Sequence, residues 1–154
     1  MEQEKEAEIT AMYYVNVDQI KQRLAFVPEL LTGCTELEQA FSNGDKRLIT
    51  YLAQERVLHL AIETVTDVGS LIIDGFLMRD ASSYEDIIDI LGTEKVLSEK
   101  TTAALLALVK LRKPLVQEYD TFSREGVHPL LKELPVILPD FTRSVEAFIE
   151  KEMI

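Results

Sequence analysis

The stretch from Lys46 to Met78 constrains the fold of this chain more than any other, because it is apolar around most of a helix. Its main stripe repeats at spacings of three and four residues and consists of Leu58, Ile62, Val65, Gly69, Ile72 and Phe76. Other sides of the same helix carry Val57, Leu60, Ala61, Val68 and Leu71. A helix that is apolar on most sides has to be covered by other elements. The sequence therefore predicts a central, largely buried helix over residues 46–78.

The beginning of the chain divides into an acidic tail and a first helix. Residues 1–12 have an acidic composition typical of disorder, and we predict one globular helical domain over residues 13–154. Asn16 or Asp18 can cap the first helix with a side-chain oxygen, and Gly33 is expected to end it.

Start and stop signals also predict two later helices. Ser82 and Glu85 fit a capping box, in which the serine hydroxyl accepts from the Glu85 amide. The short amphipathic helix that follows would end at Gly92. Ser98 can cap the next helix.

The last element is predicted to begin at His128-Pro129 and to be divided or kinked by Pro135 and Pro139. No segment shows the alternation of a β-strand or the Asn-Gly signal of a hairpin. We therefore predict an all-α fold, an antiparallel bundle of about five helices.

The net charge of −11 limits the partners of the protein. An acidic surface repels the nucleic-acid backbone, so we expect no DNA binding. Only residues 98–124 lean positive, with 5 basic and 3 acidic residues. A small basic spot suits a narrow phosphate site or a protein partner, and an ordinary solvated helix face is the alternative. Its members are Lys110, Arg112, Lys113 and Arg124.

Several absences in the sequence bear on its compartment. No apolar run approaches the ~18 residues of a membrane span, and the acidic start is unlike a signal peptide. The single Cys34 cannot form an internal disulfide, and two histidines with one cysteine do not fit the usual zinc spacings. We therefore expect a cytoplasmic protein with no membrane contact and no metal or other cofactor.

A polar ribbon lies on the remaining face of the central helix. Its members recur at spacings of three and four and are Arg56, His59, Glu63, Asp67, Ser70 and Asp74. One interpretation is a set of intrahelical ion pairs at an exposed edge. The other is that Glu63 or Asp67 orients an arginine of a neighbouring helix. That arginine would be Arg112.

Arg112 lies in the middle of an apolar seam in the segment LLALVKLRKPLVQEYDTF. The seam consists of Leu105, Leu108, Arg112, Leu115, Tyr119 and Phe122. A guanidinium on an apolar stripe is costly unless it meets a carboxylate, a phosphate or a subunit boundary. A structural salt bridge and a functional site both satisfy this requirement.

The same segment resembles the signature of the HepT-like family within the HEPN superfamily. In that family an arginine is followed after four residues by a histidine, and a tyrosine stands two positions after the histidine. Here the positions are occupied by Arg112, Gln117 and Tyr119, so glutamine stands where the family has histidine. The resemblance extends over roughly residues 13–150.

The resemblance implies a metal-independent endoribonuclease of the toxin type, acting on RNA at a cleft shared by two protomers of a homodimer. Arg112, Gln117 and Tyr119 would be its catalytic residues, with Lys113 supporting them. A minimal nucleotidyltransferase antitoxin would be the partner and would modify Tyr119 with AMP. The alternative is a non-catalytic HEPN homodimer that binds a protein or a nucleotide.

The missing histidine weakens the enzymatic interpretation, since glutamine has no usable pKa and cannot transfer protons near neutral pH. His59 and His128 are the two substitutes that the chain offers, although neither occupies the motif position. On an unbroken helix Arg112 and Gln117 would point about 140° apart. A kink at Pro114 or a two-fold axis would be needed to bring them together.

Overall fold

The computed structural model describes residues 14–153, and this part of the chain is entirely helical apart from its connections. The predicted disordered tail lies outside the described residues. The helices are α1 (Val17–Leu24), α2 (Val27–Ser42), α3 (Leu48–Gly75), α4 (Tyr84–Thr93), α5 (Glu99–Lys110), α6 (Arg112–Val116) and α7 (Pro129–Glu152), with a 3-10 turn over Tyr119–Thr121.

Two pairs of these helices are single segments with a break. Only two residues separate α1 from α2, and only Leu111 separates α5 from α6. With each pair taken together, the described residues form five helical segments, and the predicted all-α bundle is confirmed. No helix within these residues has the length and apolarity needed to cross a bilayer.

The central position predicted for the long helix is confirmed. Helix α3 contacts α1, α2, α4, α6 and α7, and all six residues of its predicted stripe are buried. It is slightly shorter than the pattern suggested, running over 48–75 instead of 46–78. The surrounding helices bury its apolar circumference and leave the polar ribbon at one edge.

The first helix begins as predicted but does not end at Gly33. The Asn16 side chain accepts a hydrogen bond from the Gln19 amide at 3.1 Å, so Asn16 is the cap. The chain breaks instead at Ala25, and Pro28 lies in the first turn of α2. Proline favours that position because its missing N–H is not needed there. Helix α2 then continues through Gly33.

The capping box of α4 lies one residue later than predicted. Ser83, not Ser82, caps the helix, and its hydroxyl accepts from the Asp86 amide at 3.0 Å. The Asp86 carboxylate in turn accepts from the Ser82 amide at 2.9 Å and from Arg79 at 2.7 and 2.8 Å. These hydrogen bonds hold the pKa of the Asp86 carboxyl well below its usual range. The side chain that accepts from a backbone amide at the start of the helix is therefore that of Asp86, where Glu85 was predicted.

Gly92 does not end α4, which continues to Thr93. A Cβ placed on Gly92 would lie 2.8 Å from the Thr102 hydroxyl oxygen. Gly92 thus permits the close packing of α4 on α5, and the chain turns at Lys95, whose φ is 60°. Ser98 caps α5 as predicted, with its hydroxyl accepting from the Thr101 amide at 3.1 Å.

The last helix begins as predicted, with His128 as its cap and Pro129 in its first turn. The two internal prolines, Pro135 and Pro139, do not divide it. Leu134, Ile137, Leu138 and Phe141 are buried on either side of these positions. Burial of this face holds the helix together despite two missing amide donors, because tertiary packing supplies most helical stability.

Candidate active site

Arg112 owes its position to a helix break. Helix α5 ends at Lys110 and α6 begins at Arg112. Pro114 has no amide to bond with the Lys110 carbonyl, and its ring crowds that carbonyl. The break caused by Pro114 therefore lies at Leu111, about one turn before the proline. It places Arg112 at the start of a new segment that packs on α3.

The Arg112 side chain lies between a carboxylate and an aromatic ring. Its Nε is 3.6 Å from Glu63 Oε1 of α3, and its Cζ is 3.8 Å from the centre of the Tyr84 ring of α4. The side chain is 24% exposed. A separation of 3.6 Å attracts by charge but is too long for a hydrogen bond, and the buried Nε has no acceptor among the described residues. Glu63 and Tyr84 thus orient the guanidinium and leave it with unused donors.

The polar ribbon is linked along its length. The same Glu63 oxygen that faces Arg112 is 3.3 Å from His59 Nε2. On the other side of the imidazole, Arg56 Nη1 is 3.4 Å from His59 Nδ1. Four side chains therefore form one continuous line, in the order Arg56, His59, Glu63 and Arg112.

Asp67 belongs to a second pair and does not contact Arg112 through an ion pair. Its carboxylate is 3.5 Å from Arg23 Nε of α1. Burial raises the pKa of the Asp67 carboxyl, while the Arg23 guanidinium opposes this effect and the Glu63 carboxylate adds to it. Asp67 also lines a cavity of about 360 Å³ together with Ser70 and Tyr84. Of the two carboxylates considered for Arg112, the structure pairs Glu63 with it.

Gln117 and Tyr119 follow the end of α6 and have exposed side chains. The seam was expected to remain helical through Phe122, but α6 ends at Val116. Gln117 is exposed, and Tyr119 is 64% exposed in the 3-10 turn. Among the described residues no hydrogen bond joins either side chain to Arg112. Within one protomer, the described contacts therefore do not link the three motif residues.

The basic spot is smaller than its sequence suggests. Arg124 is neutralised by Glu55, which accepts from it at 2.8 and 3.1 Å. Lys110 and Lys113 remain exposed at the surface. Lys113 is thus a neighbour of Arg112 in the chain and not part of its contact network.

His128 has a structural role. Its Nδ1 accepts from the Leu130 amide at 3.1 Å, and its own amide donates to Gln54 Oε1 at 2.7 Å. Burial lowers the pKa of the His128 imidazole. An imidazole that caps a helix in its neutral form is not free to transfer protons.

Tyr84 was missed by the sequence reasoning. It stands between the capping serines and the apolar face of α4, where periodicity assigns it no partner. Only the folded contact of α4 with the start of α6 places its ring on Arg112. An aromatic residue beside a cap gives no sequence signal for this role.

A model of the ribonuclease HepT-like family matches residues 19–148, and the chain belongs to this family. The resemblance read from Arg112, Gln117 and Tyr119 is confirmed at the level of the family. A Bacillus subtilis (strain 168) protein named "Putative RNase YutE" is 37% identical over 143 residues, covering 92% of this chain and 95% of the relative. A solved structure, described as that of a cytosolic protein of unknown function, YutE from Bacillus subtilis, is similar with a TM-score of 0.75 and 34% identity. The match covers 91% of this chain and 94% of that one.

Proposed function

We propose that this protein is a metal-independent endoribonuclease in which Arg112 binds the scissile phosphodiester of RNA. The observation that carries the proposal is the state of this arginine. Its side chain is 24% exposed and oriented by Glu63 and Tyr84, and no described residue accepts a hydrogen bond from its guanidinium. Because Nε itself is buried, a phosphate would be bound through the Nη groups. A charged group held in this way is prepared to bind a phosphate, since guanidinium and phosphate form paired hydrogen bonds.

The reaction is attack by the ribose 2′-hydroxyl on the neighbouring phosphorus. The O2′–P bond forms, the P–O5′ bond breaks, and the products carry a 2′,3′-cyclic phosphate and a 5′-hydroxyl. Negative charge grows on the non-bridging oxygens as the phosphorane forms. Arg112 stabilises this charge with donors that are already oriented, which is the main source of catalysis in such sites.

The active form is proposed to be a homodimer with a shared cleft. Gln117 and Tyr119 are exposed, and no described contact links them to Arg112 within one protomer. A second copy placed across a two-fold axis would bring these exposed side chains towards the Arg112 of its partner. In the cleft they would contribute hydrogen bonds, because neither amide nor phenol is an effective base at neutral pH.

The test is the cleavage of a short single-stranded RNA in the presence of EDTA. The Arg112→Ala variant is expected to lose roughly 10²- to 10³-fold in rate, as is found when one oriented charge-stabilising donor is removed. Arg143→Ala is the matched control, because Arg143 is an exposed arginine whose one ion pair within residues 14–153 is with Asp140 of its own helix. Equal rates for the parent and Arg112→Ala would refute the proposal and favour the non-catalytic homodimer that binds a protein or a nucleotide.

Tyr119 is proposed as the acceptor of AMP from a minimal nucleotidyltransferase antitoxin. The supporting observation is that its ring is 64% exposed and follows the exposed Lys113 by six residues. Added phosphate would block the cleft by its charge. Intact-mass measurement after co-expression with a nucleotidyltransferase is expected to show AMP on the parent and on Tyr14→Phe, but not on Tyr119→Phe. AMP that persists on Tyr119→Phe would rule this tyrosine out.

A further inference from the structure

We propose that His59 is the residue that takes the 2′-hydroxyl proton, in place of the histidine that the motif lacks at Gln117. This inference rests on the proposed function. The described residues contain two histidines, and His128 caps α7 through its Nδ1. His59 is the one that lies in the line of side chains leading to Arg112.

The first argument is proximity. His59 Nε2 and Arg112 Nε approach the same Glu63 oxygen, at 3.3 and 3.6 Å, so the two nitrogens lie within about 7 Å of each other. The other ring nitrogen, Nδ1, faces Arg56 on the far side of the imidazole, so RNA bound at Arg112 would have to pass Glu63 and take the place of Arg56 to bring its 2′-hydroxyl to Nδ1. His59 comes from α3 and Arg112 from α6, so both are held by rigid elements and not by loops.

The second argument is the tautomer, which the neighbours of His59 determine. A guanidinium only donates hydrogen bonds, so the contact with Arg56 makes His59 Nδ1 the acceptor. The proton of the neutral ring is then on Nε2, which faces a Glu63 carboxylate oxygen at 3.3 Å. A carboxylate that holds one imidazole nitrogen fixes the ring and stabilises the imidazolium formed when the other nitrogen takes a proton.

The base is therefore His59 Nδ1. Arg56 is exposed and its contact is long, at 3.4 Å, so substrate can replace it. In the reaction Nδ1 takes the 2′-hydroxyl proton as the O2′–P bond forms. The leaving 5′-oxygen takes a proton from water, and the imidazolium returns its proton to solvent.

Charged groups on several elements surround His59. On its own helix these are Arg56, Glu63 and Glu55, and Glu55 is paired with Arg124. Arg112 of α6 faces Glu63. Arg23 of α1 is paired with Asp67, which lies one turn after Glu63 on α3. Each cation in this set faces a carboxylate except Arg56, whose partner among the described residues is the imidazole itself. A histidine base must be neutral to take a proton, so cleavage should rise with pH and should lose this rise when His59 is replaced.

The experiment measures RNA cleavage in EDTA from pH 5 to 8.5 for the parent, His59→Gln and His128→Asn. His59→Gln is expected to lose roughly 10²- to 10⁴-fold in rate, and its remaining rate should no longer rise through this range. His128→Asn keeps a good helix cap and should retain the profile of the parent. Adding Gln117→His to His59→Gln should restore pH-dependent cleavage, because a histidine then stands at the motif position.

The outcomes separate this inference from the proposed function. If Arg112→Ala is inactive while His59→Gln keeps the rate and profile of the parent, His59 is not the base and the ribonuclease proposal stands. If no cleavage depends on Arg112, both are wrong. Circular dichroism melting checks that each variant folds, and His59→Asn serves in the same assay if His59→Gln does not.

Discussion

At the scale of single residues, the orientation of Arg112 is the main feature of this molecule. A carboxylate alone would neutralise the guanidinium, but Glu63 stays at 3.6 Å and shares its oxygen with His59. The Tyr84 ring attracts the cation without supplying an acceptor that would have to be displaced. The guanidinium is consequently fixed in place and still able to bind an anion.

The contribution of the ring can be measured with a matched pair of variants. Tyr84→Phe keeps the stacking surface and should retain the activity of the parent. Tyr84→Leu removes it, and the loss of ~0.5–2 kcal/mol of cation–π attraction should lower kcat/KM for RNA cleavage about 2- to 30-fold. Equal activities of the Leu and Phe variants would show that the ring does not orient Arg112.

The residues of the site could be predicted from sequence only in part. Glu63 was one of two carboxylates predicted to orient Arg112, because a guanidinium on an apolar seam needs a partner; intrahelical ion pairs were the alternative. Asp67 satisfied the same argument equally well. Only the folded structure shows that Asp67 pairs with Arg23 of α1 and leaves Glu63 for Arg112. The partner of His59 followed from spacing, whereas Tyr84 depends on how two distant elements meet.

At the scale of elements, neither prolines nor glycines alone predicted the helix boundaries, since Pro135 and Pro139 lie within the undivided α7. The α5–α6 segment breaks at Leu111, because Pro114 lacks the amide that would bond to the Lys110 carbonyl and its ring crowds that carbonyl. Gly33 was expected to end a helix and instead lies within α2. Proline dictates local backbone geometry, whereas glycine only permits additional conformations. The outcome at a glycine is therefore decided by packing that the sequence does not show.

Two glycines in helix interiors should respond to alanine in opposite directions. A Cβ on Gly33 would meet Val57 at an ordinary 3.4 Å, so Gly33→Ala should stabilise the protein by up to ~1 kcal/mol through helix propensity. A Cβ on Gly69 would lie 2.5 Å from Ile87 Cγ2, so Gly69→Ala should destabilise it by about 1–3 kcal/mol. The measurement is the free energy of unfolding in urea. A stabilised Gly69→Ala variant would contradict the described packing of α3 on α4.

At the scale of the whole molecule, assembly and charge set the conditions for function. The chain is strongly acidic, with a formal charge of −11, so RNA bound as we propose would be held by a few local contacts around Arg112. Because no described contact links Gln117 or Tyr119 to Arg112 within one protomer, activity is expected to require a dimer. Light scattering should then give twice the chain mass of 17.5 kDa at the concentrations used for cleavage. A monomer mass at every concentration at which RNA is cut would contradict the shared cleft.

The most direct measurement is mass spectrometry of the products formed from an RNA oligonucleotide in EDTA. The parent protein should leave a 2′,3′-cyclic phosphate on one fragment and a 5′-hydroxyl on the other. The same oligonucleotide with a single 2′-deoxynucleotide at the cleavage position should resist cutting there, because the attacking hydroxyl is missing. Cleavage at the deoxynucleotide at the same rate, or products carrying a 5′-phosphate, would contradict 2′-hydroxyl attack at Arg112.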